Sequence, residues 1–455
     1  MKRFILPTLL LLVLVGCNPR LMAPRVVVPD RYYYGESFSQ DTVRVEPYWW
    51  RVFGDTTLNT IVEYAVEQNK DLQIAISRIE QARYNLSVAR SAYLPSVGAE
   101  VSANGAYSSA TDNIAQTYKI TPTVSWEIPL FGSLRHTSNK ARAELMYEEW
   151  QLRGVQLSLE AEVATSYFTL LQYRQDLLIA RRSSELRQEM VSLIDSLYRY
   201  GFATGVNLEQ ARSLLYTSEV DIPRYEFAIA QTILSLATLL GEEPAKLSRL
   251  AYSEKLPELQ TPHFYDVAVG VPSDILMRRP DMMSAYYALQ GAAADVGIAR
   301  VARLPSFTLT LFGGTATDKV ANLFSGGAWV ANALLSLSQP IYNFGGLRRK
   351  ELAAREAYRQ SVLSYEQTFV EALADVEEAL ANITTSRDEL VRYEELVKSN
   401  RKVATITNAL YMSGLSNYLD VIDAERSLYT SQMERANLVA QQYINLINLY
   451  KALGR

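Results

Sequence analysis

Residues 411–431 read YMSGLSNYLDVIDAERSLYTS, and the interpretation of the whole chain depends on this stretch. A glycine, Gly414, interrupts it, and Asp420, Asp423 and Arg426 then follow at intervals of three residues. In a helix, side chains three residues apart lie on one face, so the three charges would form a polar stripe on an otherwise apolar helix. Such a stripe is usually a solvated helix face. It becomes a candidate functional site because the chain carries a second copy of the segment.

The second copy occupies residues 200–218 and reads YGFATGVNLEQARSLLYTS. Upstream, the sequence Leu-Pro-Ser at 94–96 returns at 304–306, an offset of 210 residues. A period this long excludes a solenoid of short repeats and indicates an internally duplicated domain. Further motifs recur at an offset of 213 residues: 131–132 at 344–345, 141–142 at 354–355, and 215–218 at 428–431.

The first residues form a bacterial targeting segment. Residues 1–16 combine the basic Lys2 and Arg3 with an apolar run too short to span a membrane, which is typical of a lipoprotein signal peptide. Cys17 follows a Leu-x-Gly sequence, so its thiol would carry the lipid; an ordinary signal peptide with a chance cysteine is the alternative. Cys17 is the only cysteine, which excludes a disulfide within the chain. By analogy with bacterial lipoproteins, Asn18 favours the outer membrane.

Two segments alternate apolar and polar residues, which is the pattern of paired β-strands. In the first, residues 96–107 and 118–128 are joined by a polar loop at 108–116; in the second, 307–311 and 329–338 are joined by a Gly/Asn-rich loop. Alternating strands of about ten residues are typical of a membrane β-barrel, and a soluble hairpin is the alternative. The chain is therefore divided into an extension at 17–55, repeat 1 at 56–243 with hairpin 96–128, a linker at 244–271, and repeat 2 at 272–455 with hairpin 306–340.

Each hairpin is followed by an unusually long helical pattern. After the second hairpin, apolar residues recur at every seventh position from Val362 to Tyr411, which indicates a coiled-coil seam. Residues 347–412 contain no proline or glycine, so this helix would run for about 100 Å at 1.5 Å per residue. Residues 133–199 predict a matching helix in repeat 1. Shorter helices are expected at 56–92, 206–241, 273–303 and 415–453.

Four strands of this length cannot close a barrel within one chain. Lipid tolerates no open sheet edge, and a small barrel needs about eight strands. Three identical chains would supply twelve strands, and cyclic association is the usual way in which identical subunits remove their edges. The expected fold class is mainly α with β. A long-helix, coiled-coil α-barrel would be joined to a trimeric, twelve-stranded transmembrane β-barrel.

Several motifs resemble those of one known family. They are SWEIPLFG at 125–132, PSD at 272–274, RRPD at 278–281, LPSF at 304–307, PIY at 340–342 and NYL at 417–419. Together with Cys17 they cover essentially the whole mature chain, and the set is specific although no single motif is. The chain resembles the outer-membrane efflux factors, the TolC-like family, and especially the lipoprotein branch that serves RND-type multidrug pumps.

The resemblance implies a homotrimer whose twelve helices continue the outer-membrane barrel across the periplasm. The helical tips would contact a periplasmic adaptor (membrane fusion) protein, which connects the channel to an inner-membrane RND transporter. The positions at these tips are Tyr200, Gly201, Gly205, Tyr411 and Gly414.

The resemblance also implies a periplasmic gate in the stretch quoted first. Leu419, Asp423 and Arg426 lie where lipoprotein members place an apolar ring and an acid–base lock, and Asp420 lies where TolC has a further aspartate. Asn207 occupies a position that is acidic in TolC, which leaves open whether it takes part in a lock between neighbouring repeats.

The function implied is the outer-membrane channel of a tripartite efflux pump for drugs and small molecules; a duct for type I protein secretion is the alternative. A passive coiled-coil lipoprotein would have no need of two hairpins. An enzyme is not expected, because the two histidines, His136 and His263, lie far apart and no phosphate-binding glycine loop is present. The net charge of −4 gives no indication of nucleic-acid binding. No cofactor is expected beyond the lipid on Cys17.

Overall fold

The computed structural model of the chain describes residues 21, 24–35, 38, 48–110, 112–245, 257–262, 269, 272–274, 278–324, 327 and 329–454. The predicted signal peptide at 1–16, the predicted lipidation site Cys17, His263 and most of the predicted linker at 244–271 lie outside the described residues. Two compact units are present, and each takes segments from both sequence repeats. Unit 1 comprises Met1–Val27, Arg78–Glu149 and Ser284–Thr368, and unit 2 comprises Val28–Ser77, Trp150–Met283 and Phe369–Arg455.

Seven helices of 13 or more residues and four strands follow one another in the described part of the chain. None of these helices is both long enough and apolar enough to cross a membrane. The elements are α1 (Thr56–Gln68), α2 (Lys70–Ser91), β1 (Ser96–Ser108), β2 (Asn113–Ile128), α3 (Ser133–Arg199), α4 (Gly205–Leu240), α5 (Pro280–Val301), β3 (Ser306–Thr317), β4 (Trp329–Ser338), α6 (Gly346–Met412) and α7 (Tyr418–Ala452).

The boundaries of these elements confirm the duplication. Helices α3 and α6 each contain 67 residues and start 213 residues apart, which is the offset of the sequence motifs. Both are preceded by a glycine with positive φ, 79° at Gly132 and 77° at Gly345. The helix expected at 273–303 begins later, at Pro280, a residue suited to the first helical position. It therefore matches α2, which also has 22 residues and starts 210 residues earlier.

The single helix expected at 56–92 is broken at Asn69, so that prediction is wrong. Asn69 ends α1 with φ −60° and ψ 132°, and its Oδ1 accepts a hydrogen bond from the N–H of Leu72 at 3.0 Å. Its Nδ2 donates to the carbonyl of Leu239 in α4 at 2.8 Å. Asparagine competes well with helical hydrogen bonds because its side chain can replace the backbone partners. The break thus fixes the C-terminal end of α4.

Arg279 has the same role in repeat 2, in the position before α5. Its Nη1 donates to the carbonyl of Ala452, the last residue of α7, at 2.9 Å. The buried guanidinium also pairs with Asp281 at 2.7 Å and Asp375 at 2.8 Å. Ala452 is the 213-residue counterpart of Leu239. A neutral amide in one repeat and a charge-paired guanidinium in the other therefore hold equivalent helix ends.

Unit 1 contains a four-stranded antiparallel sheet in the order β1-β2-β3-β4. Both predicted hairpins are present, and β2 joins β3 with Trp126 paired to Leu309. The polar loop expected at 108–116 is shorter, because β1 continues to Ser108 and β2 begins at Asn113. Strands β1 and β4 each have one neighbour, so the sheet of a single chain has two open edges.

The pairing of β2 with β3 has a gap of two residues. The register skips residues 121–122 on β2, and Pro122 has no N–H to donate to the ladder. Opposite this gap, Gly314 lies so close to the backbone of Ile120 that a Cβ atom on the glycine would be 1.9 Å from the carbonyl oxygen. The register places Gly313 opposite Pro122 and Gly314 opposite Thr121, so β3 presents two residues without side chains to the interrupted part of β2.

The core of unit 2 contains a cluster of aromatic side chains. Phe168 and Tyr443 stack with their ring centroids 4.0 Å apart, and Phe53 contacts both rings. Trp49 stacks on Tyr450 at 5.5 Å. Aromatic pairs of this kind contribute about 1 kcal/mol each beyond the burial of their area. They anchor the end of the N-terminal extension to the helices of unit 2.

The heptad seam predicted in α6 is buried from Val362 to Ala404. The last position of the seam, Tyr411, is partly buried and packs on Tyr418 of α7 with ring centroids 5.3 Å apart. The periodicity therefore identified the buried face of a helix that carries no break over 67 residues.

Candidate functional site: the helical tips and the acidic stripe

Both helical pairs of unit 2 end in the same kind of turn. Gly201 follows α3 with φ 78°, and Gly414 follows α6 with φ 72°, a left-handed conformation that glycine adopts without strain. In each turn the next N–H donates to a carbonyl five residues earlier: Phe202 to Leu197 at 2.8 Å, and Leu415 to Leu410 at 2.9 Å. The duplicated segments of the sequence thus form two equivalent tips.

The helix that follows each turn is capped by its own side chains. In α4, Thr204 accepts a hydrogen bond from the N–H of Asn207 at 3.3 Å, and its hydroxyl donates to the Asn207 side chain. In α7, Asn417 is the cap and Asp420 completes a capping box by accepting from the N–H of Asn417 at 3.2 Å. Asp420 and Asn207 occupy the same third position, so the two caps differ by one negative charge.

The predicted stripe lies on the exposed face of α7, and the opposite face is buried. Tyr418, Val421 and Ile422 pack against Ile194 of α3 and Leu208 of α4. This packing fixes the rotation of α7 about its axis, so the side chains of the stripe point away from the rest of the chain. The exposed residues of the stripe are Leu419, Asp420, Asp423 and Arg426.

The two later charges of the stripe have no ion-pair partner within the described residues of one chain. Asp423 and Arg426 are three residues apart and both exposed, yet they form no salt bridge with each other. Single exposed charges are inexpensive in water. The arrangement places an apolar Leu419, a capping carboxylate and two exposed charges along one line of α7.

The tips expose apolar side chains that the sequence analysis did not name. Phe202 is 82% exposed and Leu415 is 75% exposed, at equivalent positions after the two turn glycines. Tyr200 is exposed as well, whereas Gly205 is the first residue of α4, where an added Cβ would lie at an ordinary 3.8 Å from the ring of Tyr198. Exposed apolar residues at a loop tip are typical of a contact surface. The signal in the sequence was an apolar residue directly after each glycine.

Above the tips, α3, α4 and α7 share a group of buried polar side chains. Arg187 of α3 donates from Nη1 to the carbonyl of Leu214 at 2.8 Å and lies over the ring of Tyr429 at 4.7 Å. The Tyr429 hydroxyl donates to Asp221 Oδ2 at 2.7 Å. Burial lowers the pKa of Arg187, and burial together with Asp221 raises the pKa of Tyr429. Burial also raises the pKa of Glu425, which Arg187 partly offsets.

No group of His, Cys, Asp and Glu side chains in the described ranges is arranged to hold a metal ion. The charges instead follow the helices and the tips. A four-stranded sheet with alternating side chains, together with paired 67-residue helices that end in capped turns, defines the class of protein: one subunit of a TolC-like outer-membrane channel.

The comparisons agree with this class. The chain belongs to the outer membrane efflux protein family, whose family model matches residues 61–242 and 271–455. It is a component of an efflux pump in the outer membrane and extends into the periplasm. The family consists of efflux channel components and is not a family of enzymes.

Similar proteins include the antibiotic efflux pump outer membrane protein ArpC of Pseudomonas putida, 29% identical over 97% of this chain and 93% of ArpC. The cation efflux system protein CusC of Escherichia coli O157:H7 is also 29% identical, over 99% of this chain and 98% of CusC. Among solved structures, the open state of the Neisseria gonorrhoeae MtrE outer membrane channel superposes with a TM-score of 0.83 at 25% identity. That superposition covers 96% of this chain and 98% of the MtrE chain.

Proposed function

We propose that three copies of the chain form the outer-membrane channel of a tripartite pump that expels drugs and other small molecules. The observation that carries this proposal is the sheet of unit 1, which has two open edges, β1 and β4. The unpaired backbone groups of an open sheet edge cannot form hydrogen bonds in lipid, so these edges must be paired. One chain with four strands would supply a third of a closed, twelve-stranded barrel. Bilayer recordings of the purified, reconstituted protein test the function. Ion conductance from protein that runs as an SDS-resistant trimer supports the proposal, and the absence of conductance contradicts it.

The proposed partners are a periplasmic adaptor and an inner-membrane RND transporter. Support comes from the two equivalent tips, where Phe202 and Leu415 expose apolar rings and chains beside the predicted contact positions Tyr200, Gly201 and Gly414. The relatives are named for the efflux of antibiotics and of cations. Small-molecule efflux is therefore favoured over type I protein secretion.

The proposed gate is the stripe on α7. A three-fold axis would convert Leu419 into an apolar ring, and Asp420 and Asp423 into two rings of carboxylates. Carboxylates about 8 Å apart repel by about 2 kcal/mol at an effective dielectric constant of 20. Arg426 would offset part of this repulsion and hold the tip closed. The adaptor would open the channel by binding the open tip more tightly than the closed one.

Asp423→Ala is expected to loosen this gate, because it removes the acidic partner of the proposed lock and one carboxylate ring. Single-channel recordings should show a higher conductance and a weaker preference for cations. Glu209→Ala is the matched control, since it removes an exposed charge from the second turn of α4 and not from the stripe. Equal conductance and selectivity in Asp423→Ala and the unsubstituted channel would disprove the role of Asp423.

A lipid on Cys17 is proposed as the N-terminal anchor, and the path of the described residues after it supports this. In unit 1, Leu21 packs near Tyr358 and Val362, and the N–H of Arg25 donates to Glu366 at 2.6 Å. From Arg25 back to Leu21, the N-terminal segment therefore runs along α6 toward the start of that helix. Tyr358 is about 18 Å along α6 from Gly346. Four residues span up to about 14 Å, so Cys17 can reach to within about 4 Å of the level of Gly346, where α6 begins.

Growth with a radiolabelled fatty acid tests the anchor. The unsubstituted protein should carry the label, and Cys17→Ser should carry none because the chain has no other thiol. Treatment with trypsin should release the label with an N-terminal peptide. Label elsewhere, or none on the unsubstituted protein, would show that the chain is not a lipoprotein.

A further inference from the structure

The duplication gives α4 and α7 a stripe of residues at equivalent positions. The stripe on α7 is buried by other side chains of the chain, whereas the stripe on α4 is exposed. On α4 the stripe is 53–69% exposed. On α7 the equivalent residues, 213 positions later, are partly or fully buried, and two of them have no exposed surface. The α4 stripe is Tyr216, Val220, Phe227 and Leu234. The α7 stripe, which is distinct from the charged stripe of the proposed gate, is Tyr429, Met433, Ala440 and Ile447.

The half of the α7 stripe that lies nearer the start of α7, Tyr429 and Met433, is covered by α4 of the same chain. Tyr429 donates its hydroxyl to Asp221 Oδ2 at 2.7 Å, and Met433 Sδ accepts a contact from the Tyr225 hydroxyl at 3.8 Å. Repeat 2 therefore docks on repeat 1 through a tyrosine–carboxylate pair and a neighbouring thioether. The pair is half-buried, where a hydrogen bond to a charged acceptor is stronger than one between neutral groups.

The receiving surface is also duplicated. The counterpart of Asp221 is Glu434 on α7, so a carboxylate stands at the same position of the second repeat. Glu434 Oε1 accepts a long hydrogen bond from Asn437 at 3.3 Å, which leaves accepting capacity on the carboxylate. Tyr216 forms no hydrogen bond with any residue in the described segments, although its counterpart Tyr429 does. Within the described residues, one chain thus contains a tyrosine hydroxyl without an acceptor and a carboxylate that can accept a further hydrogen bond.

A chain with two repeats can form this contact internally only once. Repeat 2 docks on repeat 1, and the stripe of repeat 1 then needs a further repeat 2, which only another copy can supply. The apolar members of the α4 stripe are spaced by seven residues from Val220 to Leu234, which is the spacing of a coiled-coil seam. A seam of large apolar residues left in water is typical of an interface and not of a solvated face.

We propose that, in the homotrimer on which this inference rests, the α4 stripe of each chain packs on α7 of the next copy. The Tyr216 hydroxyl donates to Glu434 of the partner subunit, as Tyr429 donates to Asp221 within the chain. The assembled ring then holds six tyrosine–carboxylate pairs, three within chains and three between them. The pairs between chains close the ring of helices.

Cross-linking between engineered cysteines tests the contact. A tyrosine and a glutamate joined by a hydrogen bond hold their Cβ atoms too far apart for a disulfide, so a short bis-maleimide linker is used on the full-length protein in outer membranes. Tyr216→Cys with Glu434→Cys should yield covalent dimers and trimers. The matched control is Asp221→Cys with Tyr429→Cys, which should join two positions of one chain and leave it at monomer size. Tyr216→Cys alone should give no covalent oligomer.

Three other outcomes are informative. Covalent trimers obtained with an amine-reactive reagent, but not with the Tyr216/Glu434 cysteine pair, would overturn the proposed contact and leave the homotrimer standing. The absence of trimers with both reagents, from protein whose internal control pair does react, would overturn the homotrimer as well. A covalent adduct between Tyr216→Cys and a different protein would identify the adaptor as the occupant of the stripe and also overturn the proposal.

Discussion

Gly314→Ala is expected to abolish the proposed SDS-resistant trimer almost completely. The added Cβ would lie 1.9 Å from the carbonyl oxygen of Ile120 and 3.1 Å from the Cα of Thr121, and both are backbone atoms that no side-chain rotation can move. Relief requires β2 and β3 to separate where their ladder is already interrupted at Pro122. Overpacking costs typically 1–3 kcal/mol, and about 3 kcal/mol or more is expected when the clash is with backbone. Unheated samples on SDS gels should show monomer in place of trimer.

Gly313→Ala is the matched control. Its added Cβ would meet the carbonyl oxygen of Val330 at 3.6 Å, an ordinary van der Waals distance. The two variants change neighbouring residues of one strand by the same methyl group, so composition and strand propensity are equal. Trimers in both variants would contradict the close approach of β2 and β3. Trimers in neither variant would mean that a methyl group at either glycine beside the gap in the ladder prevents assembly.

The second large effect is on the pH dependence of stability, and it arises from two buried carboxyl groups on α3. Burial raises the pKa of Asp176 to about 7, with the charges of Glu434 and Asp221 adding to the shift and a hydrogen bond from Gln172 opposing it. Burial also raises the pKa of Glu160 to about 7, although Gln156 and Trp49 donate to its oxygens at 2.8 and 3.1 Å.

The direction follows from proton linkage. Between pH of about 4 and 7 the unfolded chain has released the two protons while the folded chain retains them, so the free energy of unfolding decreases as the pH rises. The stabilisation is complete below pH of about 4 and is lost by the time the pH has passed 7. Shifts of this size correspond to about 4 kcal/mol per group, with each pKa unit contributing about 1.4 kcal/mol.

Asp176→Asn is expected to remove the larger part of this dependence, because the amide has the shape of the protonated acid and never ionises. Its melting temperature should match that of the unsubstituted protein below a pH of about 4, exceed it slightly at pH 5 and exceed it by several degrees at pH 8. Glu160→Gln should behave likewise. Glu185→Gln, at an exposed site on the same helix, is the control that should change nothing at either pH. A difference that stays constant from pH 5 to pH 8 would show that Asp176 does not titrate in the folded state.

The sequence predicted the parts of this structure that depend on periodicity. The seven-residue spacing from Val362 to Tyr411 identified a helix that the structure bounds at Gly346–Met412, and the offset of 213 residues identified its twin. Alternating apolar residues identified both hairpins. These signals survive because each extends over many residues, so a local exception does not erase them.

Features that depend on single close contacts were not predictable. The helix break at Asn69 requires the carbonyl of Leu239, 170 residues away, as a partner for the amide. The gap beside Gly314 requires knowledge of which strand faces Pro122. Such contacts are decided by tertiary packing, which a single sequence does not display.

The candidate site shows the same division. The spacing of Asp420, Asp423 and Arg426 predicted a common face, and the structure places all three on the exposed side of α7. The local role of Asp420 as a cap was missed; the Asn-x-x-Asp sequence at 417–420 differs from the usual capping-box sequence, which has Glu or Gln at the third position. The Tyr429–Asp221 pair had no local signal, since its members are 208 residues apart.

The two helix caps at the tips have one shape and different charges: Asn207 in the first repeat and Asp420 in the second. In a ring of three copies, six nearly identical turns would surround the axis, but their electrostatic potential would alternate between neutral and negative. An ion on that axis would meet a steric outline of six-fold symmetry and a field of three-fold symmetry. A single substitution, Asn207→Asp, would give the electrostatic field the same six-fold symmetry as the steric outline. It would also double the number of capping carboxylates around the opening.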